Sequence, residues 1–179
     1  IMTASHGYST YRDLVQTYDL SDLRRIENKE PEYRRNSVMG FLKNHSDFQI
    51  FSYILKISKM DIIVDQVQFN STLFACNDEL LKMRYGEELF MNLDRNSALK
   101  ILNSHILPRI VGKKTLLSRR LTILDTKDDR TQLSVINNKG NLSIATNCNQ
   151  LNFMSDEIKL DNGSVYVLDG IFFPPNFVL

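Results

Sequence analysis

The sequence predicts an α+β protein in which a cluster of helices precedes a largely antiparallel sheet. Between Ser37 and Pro108, apolar residues recur at helical intervals, as in SVMGFLKN, FQIFSYILKISKM and SALKILNSHIL. After Pro108 the pattern changes to short apolar runs separated by turn residues, namely LTILD, TQLSVIN, NLSIATN and SVYVLDGIFF. Because helices come first and strands second, the order favours an α+β fold over an alternating α/β fold.

The helical part divides into several short elements. Asp47 is placed to cap the helix FQIFSYILKISKM. The run STLFA reads as a short buried strand, and Gly86 interrupts the next helical stretch, NDELLKMRYGEELF. The last helix, SALKILNSHIL, is followed by Pro108 and is expected to present one apolar face made of Leu99, Leu102 and Ile106.

The final strand is the segment NGSVYVLDGIFFPP, residues 162 to 175. An Asn-Gly turn comes first, and then a β-branched and aromatic run that includes Ile171–Phe173 before two prolines end it. Nothing in the segment looks like a nucleophile, a metal-ligand set or a phosphate-binding loop.

Composition limits the possible classes of protein. The 179 residues are 42% hydrophobic and 24% charged, as expected for a globular domain. The formal net charge of +1 creates no overall electrostatic field that would select nucleic acid. The apolar runs are too short to span a bilayer, and the start of the chain lacks the apolar region of a signal peptide. Residues 1–36 are polar and balanced in charge. They predict an arm or partly helical extension that orders against a partner, and residues 37–179 form the domain.

Catalytic signatures are missing from the sequence. It contains no Gly-x-Ser-x-Gly, no Gly-rich loop before a helix and no His-Glu-x-x-His, so we expect no enzyme activity, cofactor or metal. The two cysteines, Cys76 and Cys148, are read either as small buried side chains or as one disulfide.

A basic cluster follows the last helix and contains no acidic residue: Arg109, Lys113, Lys114, Arg119 and Arg120. It is read either as a solvated hairpin or as a binding site for a polyanion or a lipid headgroup. Nucleic acid is a less favoured partner because no aromatic residue is interleaved for base stacking.

Four Asn-x-Ser/Thr sequons make the chain a candidate glycoprotein: Asn44, Asn70, Asn141 and Asn162. The number is a weak excess over chance in a chain this rich in Asn. Asn162 also belongs to the predicted tight turn.

Three stretches, in order and with fitting spacing, resemble the signatures of the fasciclin domain family. TLFACNDELL is similar to the first signature, ILNSHILP to the central helix with its Tyr-His pair, and NGSVYVLDGIFFPP to the second signature. The resemblance covers about Ser37 to Phe177. Cys76 stands where the family usually has Pro, and Ser104 stands where it usually has Tyr.

The resemblance implies a fasciclin-like, wedge-shaped β-sandwich of mainly antiparallel strands with an N-terminal cluster of helices. In that fold the last strand runs through the sandwich, and we expect Val167 to face its core. It implies structural roles, rather than catalytic ones, for four residues: His105, Asn162, Gly163 and Asp169. Adhesive members of the family use an Asp-Ile pair before the second signature to engage integrins. The matching positions are Glu157 and Ile158, preceded by Asp156 in place of Pro. The alternative for these residues is a polar turn with Ile158 in the core.

The resulting hypothesis is a non-enzymatic adhesion or protein–protein interaction module, outside the cell or at its surface, whose partner is an adhesion receptor. The alternative is a structural protein, such as a minor capsid or virion-associated component of a large DNA virus, whose partner is a neighbouring subunit. A polyanion- or lipid-binding module is the weaker third hypothesis.

Overall fold

The computed structural model describes residues 31–175 and residue 177. The chain divides into a first unit, Ile1–Glu32, most of which lies outside the described residues, and a compact unit that starts at Tyr33. The predicted arm therefore stays a prediction for residues 1–30. Arg34 belongs to the compact unit, because its backbone N–H donates to Asp65 and its guanidinium pairs with Asp161 at 2.9 Å. The compact unit thus begins before the boundary predicted at residue 37.

The first half of this unit is helical. Short 3-10 helices occupy Ser46–Phe48 and Val67–Phe69. The α-helices, of which the last four lie between strands, are α1 Val38–Asn44, α2 Gln49–Ile57, α3 Asp61–Asp65, α4 Asp78–Tyr85, α5 Glu87–Met91, α6 Arg95–Asn103 and α7 Lys113–Leu117.

Eight strands form two four-stranded sheets in the described part of the chain. The first sheet has the order β2-β1-β8-β7, with β1 Ser71–Cys76, β2 Ile106–Leu107, β7 Ile158–Leu160 and β8 Gly163–Leu168. The second sheet has the order β3-β4-β5-β6, with β3 Leu121–Asp125, β4 Gln132–Asn138, β5 Asn141–Ala145 and β6 Gln150–Asn152. All neighbours are antiparallel except β1 and β8, which run parallel.

The first sheet lies between the helices and the second sheet. Alternate residues of β1 and β8 therefore enter two different cores. Leu73 and Val165 pack with the helices. Phe74 and Tyr166 stack at 5.8 Å between their ring centroids and pack against the second sheet. This arrangement confirms the α+β prediction, and it explains why both strands read as continuous apolar runs, since each is buried on both faces.

Two details of the last strand differ from the prediction. Val167 is buried, but it belongs to the helix-side core and not to the core between the sheets. β8 ends at Leu168, and Ile171 and Phe172 are buried in the loop that follows. Apolar side chains continue past the strand because this loop also covers the core, and apolar content alone does not mark where backbone pairing stops.

The helical predictions need two corrections. Asp47 lies in a 3-10 helix, and α2 is capped instead by the carboxylate of Asp78, which accepts from the N–H groups of Gln49 at 3.2 Å and Ile50 at 2.8 Å. The last predicted helix ends at Asn103, and Ile106 belongs to β2. The cap was missed because Asp78 is distant in sequence. The break at Gly86 is confirmed, since its φ of 82° separates α4 from α5.

The turn before β8 is built from Asp161 and Asn162, because Leu160 pairs with Gly163. Gly163 is therefore a strand residue and not the second turn residue. Its role is to permit close packing, since a Cβ at this position would lie 2.3 Å from the carbonyl oxygen of Ser71. That approach belongs to the parallel pairing of β1 with β8, in which Ser71 is the partner of Gly163.

We expect Gly163→Ala to destabilise the protein by about 2–4 kcal/mol, because backbone must move to admit the methyl group. The measurement is the free energy of unfolding in urea. Gly112→Ala is the matched control, because its Cβ would meet nothing closer than a carboxylate oxygen of Glu157 at 3.5 Å. The control is expected to change stability by less than about 1 kcal/mol. Equal stability of the two variants would contradict the packing described here.

Candidate functional site

One cluster of charged side chains joins the start of α7 to the segment before β7. Lys113 Nζ lies 2.5 Å from Asp156 Oδ1, and the backbone N–H of Lys113 donates to Glu157 Oε1 at 3.1 Å. The other oxygen of Glu157 accepts from the hydroxyl of Ser164 at 2.6 Å. The structure therefore brings one member of the predicted basic cluster together with the predicted acidic pair.

The two carboxylates of this cluster have different surroundings. Both oxygens of Glu157 are engaged, so the residue that matches the family's adhesive acid serves as a brace between α7 and β8. The side chain of Asp156 is 82% exposed, and its Oδ2 makes no hydrogen bond with the described residues. Ile158 is half-buried and packs against the helix-side core. Asp156 is thus the acid of the predicted trio that is available to a partner.

Two open clefts flank the Lys113–Asp156 pair, and both of these residues line each cleft. The first has a volume of about 560 Å³ and lies towards Lys114, Lys159 and Leu160. The second has a volume of about 550 Å³ and lies towards Asn141, Met154 and Tyr166. A partner that contacts Asp156 could enter both clefts.

The basic cluster does not form the predicted hairpin, because α7 lies in its middle. Lys113 is half-exposed and pairs with Asp156. The remaining four side chains are exposed and make no ion pair with the described residues: Arg109, Lys114, Arg119 and Arg120. The helix was missed because five residues give too little periodicity to detect.

The sequons divide into two groups. Asn44, Asn70 and Asn141 are exposed, and each remains a candidate for glycosylation. Asn162 is fully buried, and its Nδ2 donates to the carbonyl oxygens of Val64 and Gln66, both at 2.8 Å. A glycan would be attached to that nitrogen, so the folded domain excludes Asn162 as a glycosylation site.

His105 is fully buried and uses both ring nitrogens. Nδ1 donates to the carbonyl oxygen of Ile101 at 2.7 Å, and Nε2 accepts from the backbone N–H of Phe172 at 3.0 Å. These partners fix the neutral tautomer, and burial lowers the pKa of His105 to about 4. His105 links α6 to the loop after β8, as a structural residue would.

Asp169 is a second structural residue near the end of β8. Its carboxylate accepts from the backbone and side-chain amides of Asn152 at 2.9 and 3.0 Å. Its backbone oxygen accepts from Arg84 at 2.8 Å. Asp169 therefore ties the second sheet and α4 to the loop after β8.

The two cysteines are free thiols, which excludes the predicted Cys76–Cys148 disulfide. Cys76 is buried, and burial raises the pKa of its thiol to about 12. Cys148 is exposed, so the alternative prediction of two buried side chains holds for Cys76 alone.

No group of three or more His, Cys, Asp or Glu side chains within the described ranges is arranged to hold a metal ion. No helix in that part of the chain has the length and apolar character to cross a membrane.

Comparison with known proteins identifies the family. The fasciclin domain family profile matches residues 46–174. The fold is similar to the FAS1 domain pair of the insect cell adhesion molecule fasciclin I, with a TM-score of 0.68 and 20% sequence identity over 80% of this chain and 53% of that chain. This chain thus spans about half the length of that domain pair. A search of curated proteins gives no significant match. The chain belongs to the fasciclin domain family, whose domains are generally non-enzymatic, adhesion-related modules.

We expect the stability of the domain to fall as pH decreases from 6.5 towards 4. The pKa of His105 in the folded state lies below the ordinary value of 6.5, so protonation favours the unfolded chain. The contribution is fully present above pH 6.5 and amounts to about 3 kcal/mol, from the size of the pKa shift. Urea unfolding across this range is the measurement. In His105→Phe the free energy of unfolding should depend less on pH between 6.5 and 4. An identical pH dependence in both proteins would contradict the assignment of this effect to His105.

Proposed function

We propose that this chain is a non-enzymatic binding module that engages a protein receptor outside the cell through the surface around Asp156. The observation that carries the proposal is the exposed carboxylate of Asp156, held at the junction of two open clefts. Membership of an adhesion-related family supports this class of function.

The arrangement around Asp156 favours binding over chemistry. Glu157, Ser164 and the backbone of Lys113 satisfy one another and fix the position of the loop. Lys113 neutralises one oxygen of Asp156 and leaves the other towards solvent. This frame presents a carboxylate at low cost in conformational entropy, as a recognition site requires.

The chemistry of the receptor follows from this carboxylate. A free carboxylate oxygen is a hard ligand for a divalent cation, so a receptor that presents a bound Mg²⁺ or Mn²⁺ ion at its surface is the best fit. Integrins are receptors of this kind, and the resemblance places the adhesive acid at the adjacent position, Glu157. We assign the role to Asp156, because the oxygens of Glu157 are already engaged.

We expect Asp156→Asn to reduce attachment of integrin-bearing cells to surfaces coated with the full chain by at least about tenfold, because the neutral amide is a poor cation ligand. Attachment should require Mn²⁺ and should be lost in EDTA. The substitution lies on the surface, so stability is expected to change by less than about 0.5 kcal/mol.

Asp129→Asn is the matched control for this experiment. Asp129 is also exposed and makes no ion pair with the described residues, and the substitution removes the same charge. Equal attachment of cells to the wild type and to Asp156→Asn would show that the binding site does not include Asp156. If no cell attaches to the wild type, the adhesion proposal is wrong.

A further inference from the structure

The four outermost strands of the two sheets are not equally protected against pairing with another chain. β2 has two residues, and β6 and β7 have three each. Such short edges offer few backbone groups to a partner strand. β3 has five residues in regular register with β4, so it is the longest edge strand in the described part of the chain.

The register shows which backbone groups of β3 face away from the sheet. The N–H of Asn137 donates to the carbonyl of Arg120 at 2.9 Å. In an antiparallel pair, hydrogen-bonded positions alternate, so the backbone groups of Leu121, Ile123 and Asp125 point to the free edge. No described residue hydrogen-bonds to these outward groups. β3 therefore offers a regular row of donors and acceptors.

The side chains of β3 also lack the usual protection of an edge. Leu121 and Ile123 are 52% and 50% exposed on the outer face of the second sheet. The strand, LTILD, contains no Lys, no Pro and no bulge, and Asp125 at its end is its one charged residue. An unprotected edge with exposed apolar residues is suited to pairing.

Two arginine side chains lie next to the free edge of β3. Arg109 and Arg119 line a cleft of about 410 Å³ together with Leu121, Thr122 and Ile123. An added strand would place every second side chain beside Leu121 and Ile123, and the others beside Thr122 and the guanidinium groups. The edge therefore fits a strand in which apolar and acidic residues alternate.

We propose that β3 is a β-augmentation site for an extended segment of a partner protein in which apolar and acidic residues alternate. A second copy of this chain fits less well, because residues 119–127 carry three cations, Arg119, Arg120 and Lys127, against one anion, Asp125. Copies paired along this segment would repel one another. The proposal concerns a surface separate from Asp156 and does not depend on the receptor proposed above.

The test uses the full chain and a fluorescein-labelled, end-blocked peptide of seven residues that alternates Glu and Val. Ile123→Pro removes one outward N–H and leaves the ladder to β4 intact, because the N–H of Ile123 does not face β4. Ile123→Thr is the matched control, since it keeps the N–H and the β-branch. A peptide with Lys in place of Glu tests the charge preference.

We expect the Glu peptide to bind the wild type and to bind Ile123→Pro at least about tenfold more weakly, with Ile123→Thr in between. Combined Arg109→Glu and Arg119→Glu substitutions should reverse the preference between the two peptides. Hydrogen exchange should show that the amides of Leu121 and Ile123 gain protection when the Glu peptide binds. Thermal unfolding checks that each variant is folded.

Three results would overturn the proposal. The first is that the Glu peptide does not bind at protein concentrations up to about 1 mM, which corresponds to a binding free energy of only about 4 kcal/mol. The second is equal binding by the wild type and a folded Ile123→Pro variant. The third is a wild-type dimer that Ile123→Pro converts to a monomer, because the edge would then be occupied by a second copy of the chain.

Discussion

The side chain of Asn162 joins the turn before β8 to two helices that lie far from it in the sequence, α1 and α3. Its Oδ1 accepts from the N–H of Val38 at the start of α1, and its Nδ2 donates to the carbonyls of Val64 and Gln66 at the end of α3. The next residue, Gly163, packs against the backbone of Ser71. The turn before β8 is therefore fixed to the helices and to β1 at one point, and the parallel pairing of the two central strands starts there.

Both proposed binding surfaces depend on this central sheet. β8 carries Ser164, which holds Glu157, and the neighbouring residue Asp156 is thereby presented to solvent. The same face of β8 carries Tyr166, whose hydroxyl donates to the carbonyl of Val111 at 2.8 Å just before α7. The chain then continues into Arg119 and β3. A well-packed core strand can thus position surface residues of two segments without taking part in binding itself.

The sequence was sufficient to predict the fold class, the buried strand β1 and the break at Gly86, because apolar runs and turn residues are local signals. The structural role expected of His105 followed from the family resemblance and not from such a signal. It was not sufficient for contacts between distant segments. Asp78 caps α2 from beyond a strand, and Lys113 meets Asp156 across 43 positions. The family resemblance indicated the region of the candidate site and pointed to Glu157 as its acid. Both carboxylate oxygens of Glu157 are hydrogen-bonded within the domain, and no pattern in the sequence shows this.

The free energy of unfolding of Asn162→Asp, measured in urea near pH 7, tests most directly whether the buried amide of Asn162 organises the domain. The substitution keeps the size of the side chain, but it removes both donors and sets a buried carboxylate against the carbonyls of Val64 and Gln66. We expect a loss of about 3–5 kcal/mol. A variant within about 0.5 kcal/mol of the wild type would contradict the view that this buried amide organises the domain.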